Sequence, residues 1–326
     1  MTPQELAGQR VVYALPGTRA PAPLLRRIRR GEAAGVILFD RNIRSRRQLH
    51  ALVRRLQRAR PARTPPLMVA IDQEGGLVKR LPGAPRYSAA ELGRRGSARL
   101  ARREGRAAAS NLRGVGVNVD FAPVLDVGRR GSSVRELGRT YSGRADGVVK
   151  LGGAFAEGLR AGGVAPTGKH FPGLGAARGD QDRVVNEVRI SRARLRRVDE
   201  APYRRLRPRL PMVMVSSAIY PALDPHRPAL FSRAVATREL REVAGFDGVS
   251  ITDDLEVPSM RRRGTPGHRA LACARAGMDL MLFAHTYSGG AAGKRALARA
   301  IGSGAVGRVA SEHAVARVLT LRESLR

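Results

Sequence analysis

The sequence predicts an α/β fold, a (β/α)8 barrel in a single domain. Three observations carry this. Eight short apolar runs recur along 326 residues, longer amphipathic stretches separate them, and no linker, repeat or low-complexity segment divides the chain. Most of the runs are continuously apolar rather than alternating, as parallel strands buried on both faces require.

The runs are Arg10–Leu15, Gly35–Phe39, Leu67–Ile71, Val117–Phe121, Val164–Gly168, Met212–Val215, Gly248–Thr252 and Asp279–Phe283. Helices are expected between them. Ala22–Arg30 and Arg46–Arg58 are the first two, with Ser45 placed to accept the free N–H groups at the start of the second. Ala98–Leu112 runs into a glycine-rich stop, and Gly147–Ala161 is stopped by Gly162 and Gly163. Ser232–Val243 carries a capping signal at Ser232, Gly267–Ala276 ends at Gly277, and Gly293–Gly302 with Val306–Arg326 closes the chain. The irregular stretches Gly128–Gly143 and Ala176–Glu187 both follow strands, which puts them on the face of a barrel where active sites lie.

The net charge is +33, yet only four of the 60 cations are lysine. The arginines spread along the whole chain and no aromatic residues interleave with them as base-stacking platforms. A polyanion-binding protein stays open as one reading, but nucleic acid is not the expected partner; the charge reads first as composition. The single cysteine, Cys273, has no disulfide partner, and no His/Cys spacing suggests a metal. No metal or other cofactor is expected. The start of the chain lacks a basic head before an apolar stretch, and no run of 18 apolar residues occurs, so the expectation is a cytoplasmic protein with no membrane partner.

Catalytic groups of a barrel sit at the C-terminal ends of its strands. Here the third run leads into Asp72, Glu74 and Arg80, the fourth into Asp120 and Asp126, the fifth into Lys169 and His170, and the seventh into Asp253, Asp254 and Glu256. Carboxylates and cations at several strand ends suit a carbohydrate. They hydrogen-bond sugar hydroxyls, and one carboxylate can attack an anomeric carbon while a second group protonates the leaving oxygen.

The segments IDQEGGLVKRLPGAP, GVNVDFAPVLDV, GRTYS, GKHFPGLG and GFDGVSITDDLEVPSM follow one another in register. Together they resemble glycoside hydrolase family 3, and KHFPG after DQEGG resembles its single-domain β-N-acetylhexosaminidase branch. The resemblance covers nearly all of residues 1–326 and implies one catalytic barrel of that family's N-terminal type. It implies a retaining glycosidase that releases a terminal β-linked, N-acetylglucosamine-type sugar through a covalent intermediate. The implied partner is a carbohydrate, an amino-sugar glycoside or a peptidoglycan-derived fragment, with a part in cell-wall recycling. By position, Asp253 matches the nucleophile, and Asp72, Arg80, Arg139, Lys169 and His170 match the sugar-binding residues. Lys169 is expected to hold the Asp253 pKa low. Asp254 is expected to face helices or cap the next segment, and Asp120, Asp126 and Glu74 to support loops.

One element of that pattern is missing. The branch carries its proton donor after KHFPG as an Asp-x-His pair, and here no histidine lies between His170 and His226. Asp180 and Asp182 stand in that loop with the same spacing, followed by Arg183, which opposes a raised carboxyl pKa. Asp182, or alternatively Asp180, is the candidate general acid. Other readings are that another group or the substrate supplies the proton, or that the protein is a non-hydrolytic sugar-binding homologue. Ser217 also stands where the family tends to have histidine, and Leu77 where arginine is common.

Overall fold

The computed structural model describes residues 1–325. Eight strands form one parallel sheet: β1 (Val11–Ala14), β2 (Gly35–Leu38), β3 (Met68–Ile71), β4 (Val119–Asp120), β5 (Ala165–Phe171), β6 (Met212–Val215), β7 (Val249–Thr252) and β8 (Met281–Phe283). Neighbours run β7-β6-β5-β4-β3-β2-β1-β8. The ring closes through a parallel bridge between Ile251 and Leu280, with Leu280 N–H donating to Ser250 O at 2.9 Å. All eight apolar runs of the sequence are barrel strands.

Residues alternate between two apolar layers along each strand. Val12, Ile37, Met68, Ala70, Met212, Met214, Val249, Ile251 and Leu282 share the cluster that fills the barrel. Val11, Tyr13, Val36, Leu38, Val69, Val213 and Val215 belong to the second cluster, between sheet and helices. This double burial explains why apolar residues dominate the runs, and why strands such as Gly35–Leu38 and Met212–Val215 carry no polar residue. Each fully buried Val, Leu, Ile or Met contributes about 1.5–3 kcal/mol, so the interior layer is a packed core and not a channel.

The outer helices follow from their apolar stripes. α1 (Ala22–Arg29) buries Leu24, Leu25 and Ile28. α2 (Arg46–Arg58) buries Leu49, Leu52, Val53 and Leu56, one face of a 3.6-residue repeat, and the Ser45 side chain accepts from Gln48 N–H at 3.2 Å. α3 (Ala98–Arg113) and α4 (Ala145–Ala161) come next, then α5 (Ala201–Leu206). α6 (Pro266–Ala276), α7 (Tyr287–Gly302) and α8 (Arg308–Glu323) complete the ring. Where β7 meets β8, the buried Asp279 carboxylate accepts from Ser250 N–H at 2.8 Å and pairs with Arg241 at 2.6 Å and Arg317 at 2.7 Å. Some of the arginine excess is therefore structural.

Three local features depart from the sequence reading. Ser232 does not cap the Ala234–Val243 helix with its side chain; its hydroxyl donates to Asp224 Oδ2 at 2.7 Å. The chain between β5 and β6 is helical over much of 192–206, where no helix is expected. Six arginines dilute its apolar stripe, leaving Leu195, Tyr203 and Leu206 as its large buried apolar side chains. Short helices Pro3–Gly8 and Ala89–Arg95 also appear, each with a capping box that the apolar periodicity does not reveal.

Candidate active site

The segments that follow the strands enclose a cavity of about 380 Å³ at the C-terminal end of the barrel. Its floor is the top of the barrel's apolar filling: Ile37, Phe121, Met214 and Leu282. Its walls are charged, and they hold every residue singled out above as catalytic or sugar-binding.

One wall is a cluster of two acids and two cations. Lys169, at the end of β5, reaches Asp72 Oδ1 at 2.6 Å and Glu74 Oε1 at 2.7 Å. Arg139 grips Glu74 with two parallel bonds of 2.9 and 2.8 Å. Burial alone raises the Glu74 carboxyl; the Arg139 and Lys169 charges overcome this and hold it at about 2. For Lys169, burial works to lower the pKa, and Asp72 with Glu74 carries it above the ordinary lysine value. The cluster presents a fixed pattern of donors and acceptors, although both Arg139 nitrogens that face Glu74 are committed to it. Glu74 thus holds Lys169 and Arg139 in place at the cavity wall and does more than support its loop.

A second group lies behind it. His170 is buried, and its Nδ1 meets Asp126 Oδ2 at 2.8 Å. Asp126 Oδ1 accepts from the N–H groups of His170 at 3.2 Å and Leu174 at 2.7 Å, so one carboxylate fixes both the ring and the turn after it. Asp120 accepts from Gln73 N–H at 2.9 Å through Oδ1, while its buried Oδ2 has no partner. Burial pushes the Asp120 carboxyl up to about 8.

Asp253 follows β7 and lies between these groups and the mouth. Its Oδ1 accepts from Asp254 N–H at 2.9 Å and its Oδ2 from Gln181 Nε2 at 2.7 Å. Contrary to the expectation from sequence, its pKa is raised. Burial is the largest cause, and His170, the Asp254 N–H and Lys169 only offset it. The physical reason is that the Lys169 ammonium bonds Asp72 and Glu74, not Asp253. Arg80 lines the cavity beside Phe39, its guanidinium 5.6 Å from the ring centre; Arg41 lies 4.7 Å from the same ring.

Asp254 links the ends of β7 and β8. Its Oδ1 accepts from the N–H groups of Glu256 at 2.9 Å and Ala284 at 3.0 Å, and its Oδ2 meets His285 Nδ1 at 2.7 Å. It caps the next segment, as expected, and also orients a histidine at the cavity wall. The Asp254 bond raises the His285 pKa. Asp254, Glu256 and His285 bring one potential metal-ligand atom each within 4.8 Å of one another. Every oxygen of the two carboxylates already accepts from the chain, Glu256 from His285 N–H, Thr286 N–H and the Thr286 hydroxyl, so the three close on themselves.

The loop after β5 shapes the mouth. Gly173 has φ +138°, and a Cβ there comes within 2.8 Å of Asp199 Cβ. A Cβ on Gly175 falls 1.9 Å from Val127 O, so FPGLG folds against its neighbours only with glycine at both places. Beyond it, Asp180 Oδ1 accepts from Asp182 N–H at 3.0 Å and Asp180 pairs with Arg183 at 3.5 Å, all at the exposed rim. Arg183 is thus turned toward Asp180. Ser259 anchors the loop to the segment after Asp253: its N–H donates to Asp182 O at 3.0 Å and its hydroxyl to Gln181 O at 2.7 Å. Asp182 keeps an exposed outer edge, yet the loop turns it toward the cavity. Burial, then the charges of Asp253, Asp180 and Asp254, push its carboxyl up to about 6.

Among the cavity residues that escaped the sequence reading are Phe39, Arg41, Gln181 and His285. A signal existed for His285 and Phe39. Each follows or ends an apolar strand run, as Asp253 does.

The sequence pattern of the glycosyl hydrolase family 3 N terminal domain matches residues 18–321. The chain is 39% identical over 285 residues to an uncharacterised secreted glycosyl hydrolase of Arthroderma benhamiae, across 85% of this chain and 80% of the relative. It is 37% identical over 258 residues to a β-hexosaminidase of Pseudomonas aeruginosa, across 78% and 76%. Its fold superposes with a TM-score of 0.94, at 34% identity, on a glycoside hydrolase family 3 β-N-acetylglucosaminidase from Paenibacillus; all of this chain is covered, but only 63% of that one. A β-N-acetylhexosaminidase from Beutenbergia cavernae matches with a TM-score of 0.90 at 27% identity, over 99% of this chain and 98% of that one. The secreted relative overturns the expectation of a cytoplasmic protein; no helix among the described residues is long and apolar enough to cross a membrane. With the barrel, the cavity and these matches in agreement, the chain belongs to glycosyl hydrolase family 3, a family of glycosidases.

Proposed function

We propose that this barrel is the catalytic unit of a retaining glycosidase that releases a terminal β-linked N-acetylglucosamine-type sugar. Asp253 is the nucleophile and Asp182 the general acid and base. The observation that carries this is the placement of two carboxylates with different partners at one cavity. Burial raises both; at Asp253 two accepted N–H bonds and the charges of His170 and Lys169 offset the rise and favour its charged form, whereas at Asp182 the charges of Asp253, Asp180 and Asp254 add to it and bring it to about 6. An acid held protonated by neighbouring carboxylates beside one supplied with hydrogen-bond donors is the arrangement an acid–base pair needs.

In the first step the Asp253 carboxylate attacks the anomeric carbon while Asp182 gives its proton to the departing glycosidic oxygen. In the second, Asp182, now a carboxylate, takes a proton from water as that water displaces Asp253. Asp72, Arg80, Arg139, Lys169 and His170 hold the sugar hydroxyls. Asp180 serves the loop: it accepts from Asp182 N–H and pairs with Arg183. The similarity to the Pseudomonas β-hexosaminidase and the Paenibacillus β-N-acetylglucosaminidase supports the choice of sugar. An amino-sugar glycoside or a peptidoglycan-derived fragment ending in that sugar is the proposed natural substrate, which makes cell-wall recycling the proposed setting. The test is hydrolysis of an aryl N-acetyl-β-glucosaminide by the wild type and by Asp253→Ala. Equal rates from the two proteins sink the nucleophile assignment.

A further inference from the structure

The flank of the barrel between α1 and α2 holds a groove of about 700 Å³. Arg29 of α1 and Arg47, His50, Arg54, Arg55 and Arg58 of α2 line it, and no residue of the catalytic cavity does. No carboxylate lines it either, and neither helix contains one. The five arginines are exposed, and among the described residues none of them makes an ion pair or a side-chain hydrogen bond. Exposed arginines on other helices stand beside acids, as Arg102 does with Glu157, Arg205 with Asp146 and Arg308 with Glu312. Arg47, His50, Arg54 and Arg58 recur at three- and four-residue intervals, which aligns them on one face of α2 next to its buried stripe. Like charges at that spacing destabilise a helix, and Arg46 and Arg47 also stand at its positive N-terminal end, where no acid offsets them. Bound anions relieve both costs.

We propose that this groove binds an anionic polysaccharide, a glycan with an acid group on successive sugars, and holds the protein on that polymer while the catalytic mouth stays free. Arg47 to Arg58 spans about 16 Å of helix, at about 1.5 Å per residue, which suits a chain of repeated charges better than one small anion. Guanidinium groups bond carboxylate and phosphate alike through paired N–H donors. The other polyanions fit less well. Nucleic acid binding uses aromatic platforms for the bases, and the groove has none. A membrane surface calls for apolar side chains that insert, and neither helix carries an exposed large hydrophobic residue. An acidic protein calls for an apolar anchor pocket, whereas the apolar lining here is Leu25, Ala51 and Ala59. The proposal does not depend on the assignment of the nucleophile.

The experiment measures binding of end-labelled polygalacturonate, dextran phosphate and neutral dextran to the full chain by fluorescence anisotropy; none of the three contains an amino sugar. Single-stranded DNA with a matched number of charges and phosphatidylglycerol vesicles are measured beside them. One variant combines Arg47→Ala, Arg54→Ala and Arg58→Ala, and a second places glutamine at the same three positions. A control combines Arg194→Ala, Arg197→Ala and Arg238→Ala, which removes the same charge from exposed positions on the opposite side of the barrel. The wild type is expected to bind one or both acidic glycans and not dextran, with affinity falling steeply between about 50 and 200 mM salt. The tighter of the two names the acid group. Both groove variants are expected to bind it about 10- to 100-fold more weakly, and the control within about three-fold of the wild type. Equal losses in groove variants and control, equal binding of dextran, or tighter binding of the DNA or the vesicles overturns the proposal. Near-ultraviolet circular dichroism identifies the folded variants, and either groove variant alone decides the outcome.

Discussion

Replacing Asp182 by asparagine keeps the size of the side chain and removes its proton. At pH 7 an aspartic acid with its ordinary value of 3.8 is protonated in roughly one molecule in 1,600, whereas one pushed up to about 6 is protonated in roughly one in eleven. With Asp182 as the proposed donor, the loop raises the protonated fraction by on the order of a hundred-fold. The protonated form is the active one, so kcat/KM falls as pH rises through about 6, and that limb belongs to Asp182. Asp182→Asn is expected to lower kcat/KM on an alkyl N-acetyl-β-glucosaminide by about 10²–10⁴-fold. A dinitrophenyl glycoside, whose leaving group needs no proton, is affected far less in its first step. The falling limb near pH 6 disappears in the variant. Asp180→Asn keeps the limb but moves it down, because the Asp180 charge is one of those that raise Asp182. Steady-state assays from pH 4 to 9 on both substrates decide the matter. Equal losses on the two substrates, or a limb that persists in Asp182→Asn, refute the assignment.

Two further predictions concern the buried charges. Asp120, raised to about 8, keeps in the folded state a proton that the unfolded chain gives up near 4, so its contribution to stability declines as pH rises through that window. Asp120→Asn is expected to gain on the wild type by at most about 1.4 kcal/mol per pH unit across the window, measured by urea unfolding at pH 5 and pH 8; parallel stabilities contradict this. Lys169→Met leaves Asp72 and Glu74 without their shared cation and is expected to cost about 3–5 kcal/mol in the same measurement, together with sugar binding. A loss under 1 kcal/mol places the cluster's stability in the Arg139–Glu74 pair instead.

The barrel was legible because burial on both faces leaves strands such as GVIL and MVMV without a polar residue and the others mostly apolar, and all eight runs are strands. The charged residues at strand ends were legible for the complementary reason: an acid directly after an apolar run has no structural excuse in an all-apolar strand. What stayed hidden depends on juxtaposition. Gln181 is an ordinary loop residue until the chain brings it 2.7 Å from Asp253, 72 positions away. The effect of Lys169 on Asp253 could not be read either, since it turns on which of three acids its ammonium reaches. The helix within 192–206 was masked by arginines, which the abundance of that residue makes uninformative.

The central claim is that Asp253 forms a covalent bond to the sugar. Incubation with a 5-fluoro N-acetylglucosaminyl fluoride, which slows release of such an intermediate, followed by proteolysis and mass spectrometry, tests it directly. The account predicts one added sugar on the peptide bearing Asp253, at that residue. Label on another carboxylate such as Asp254, or steady turnover of the reagent by Asp253→Ala at the wild-type rate, contradicts it.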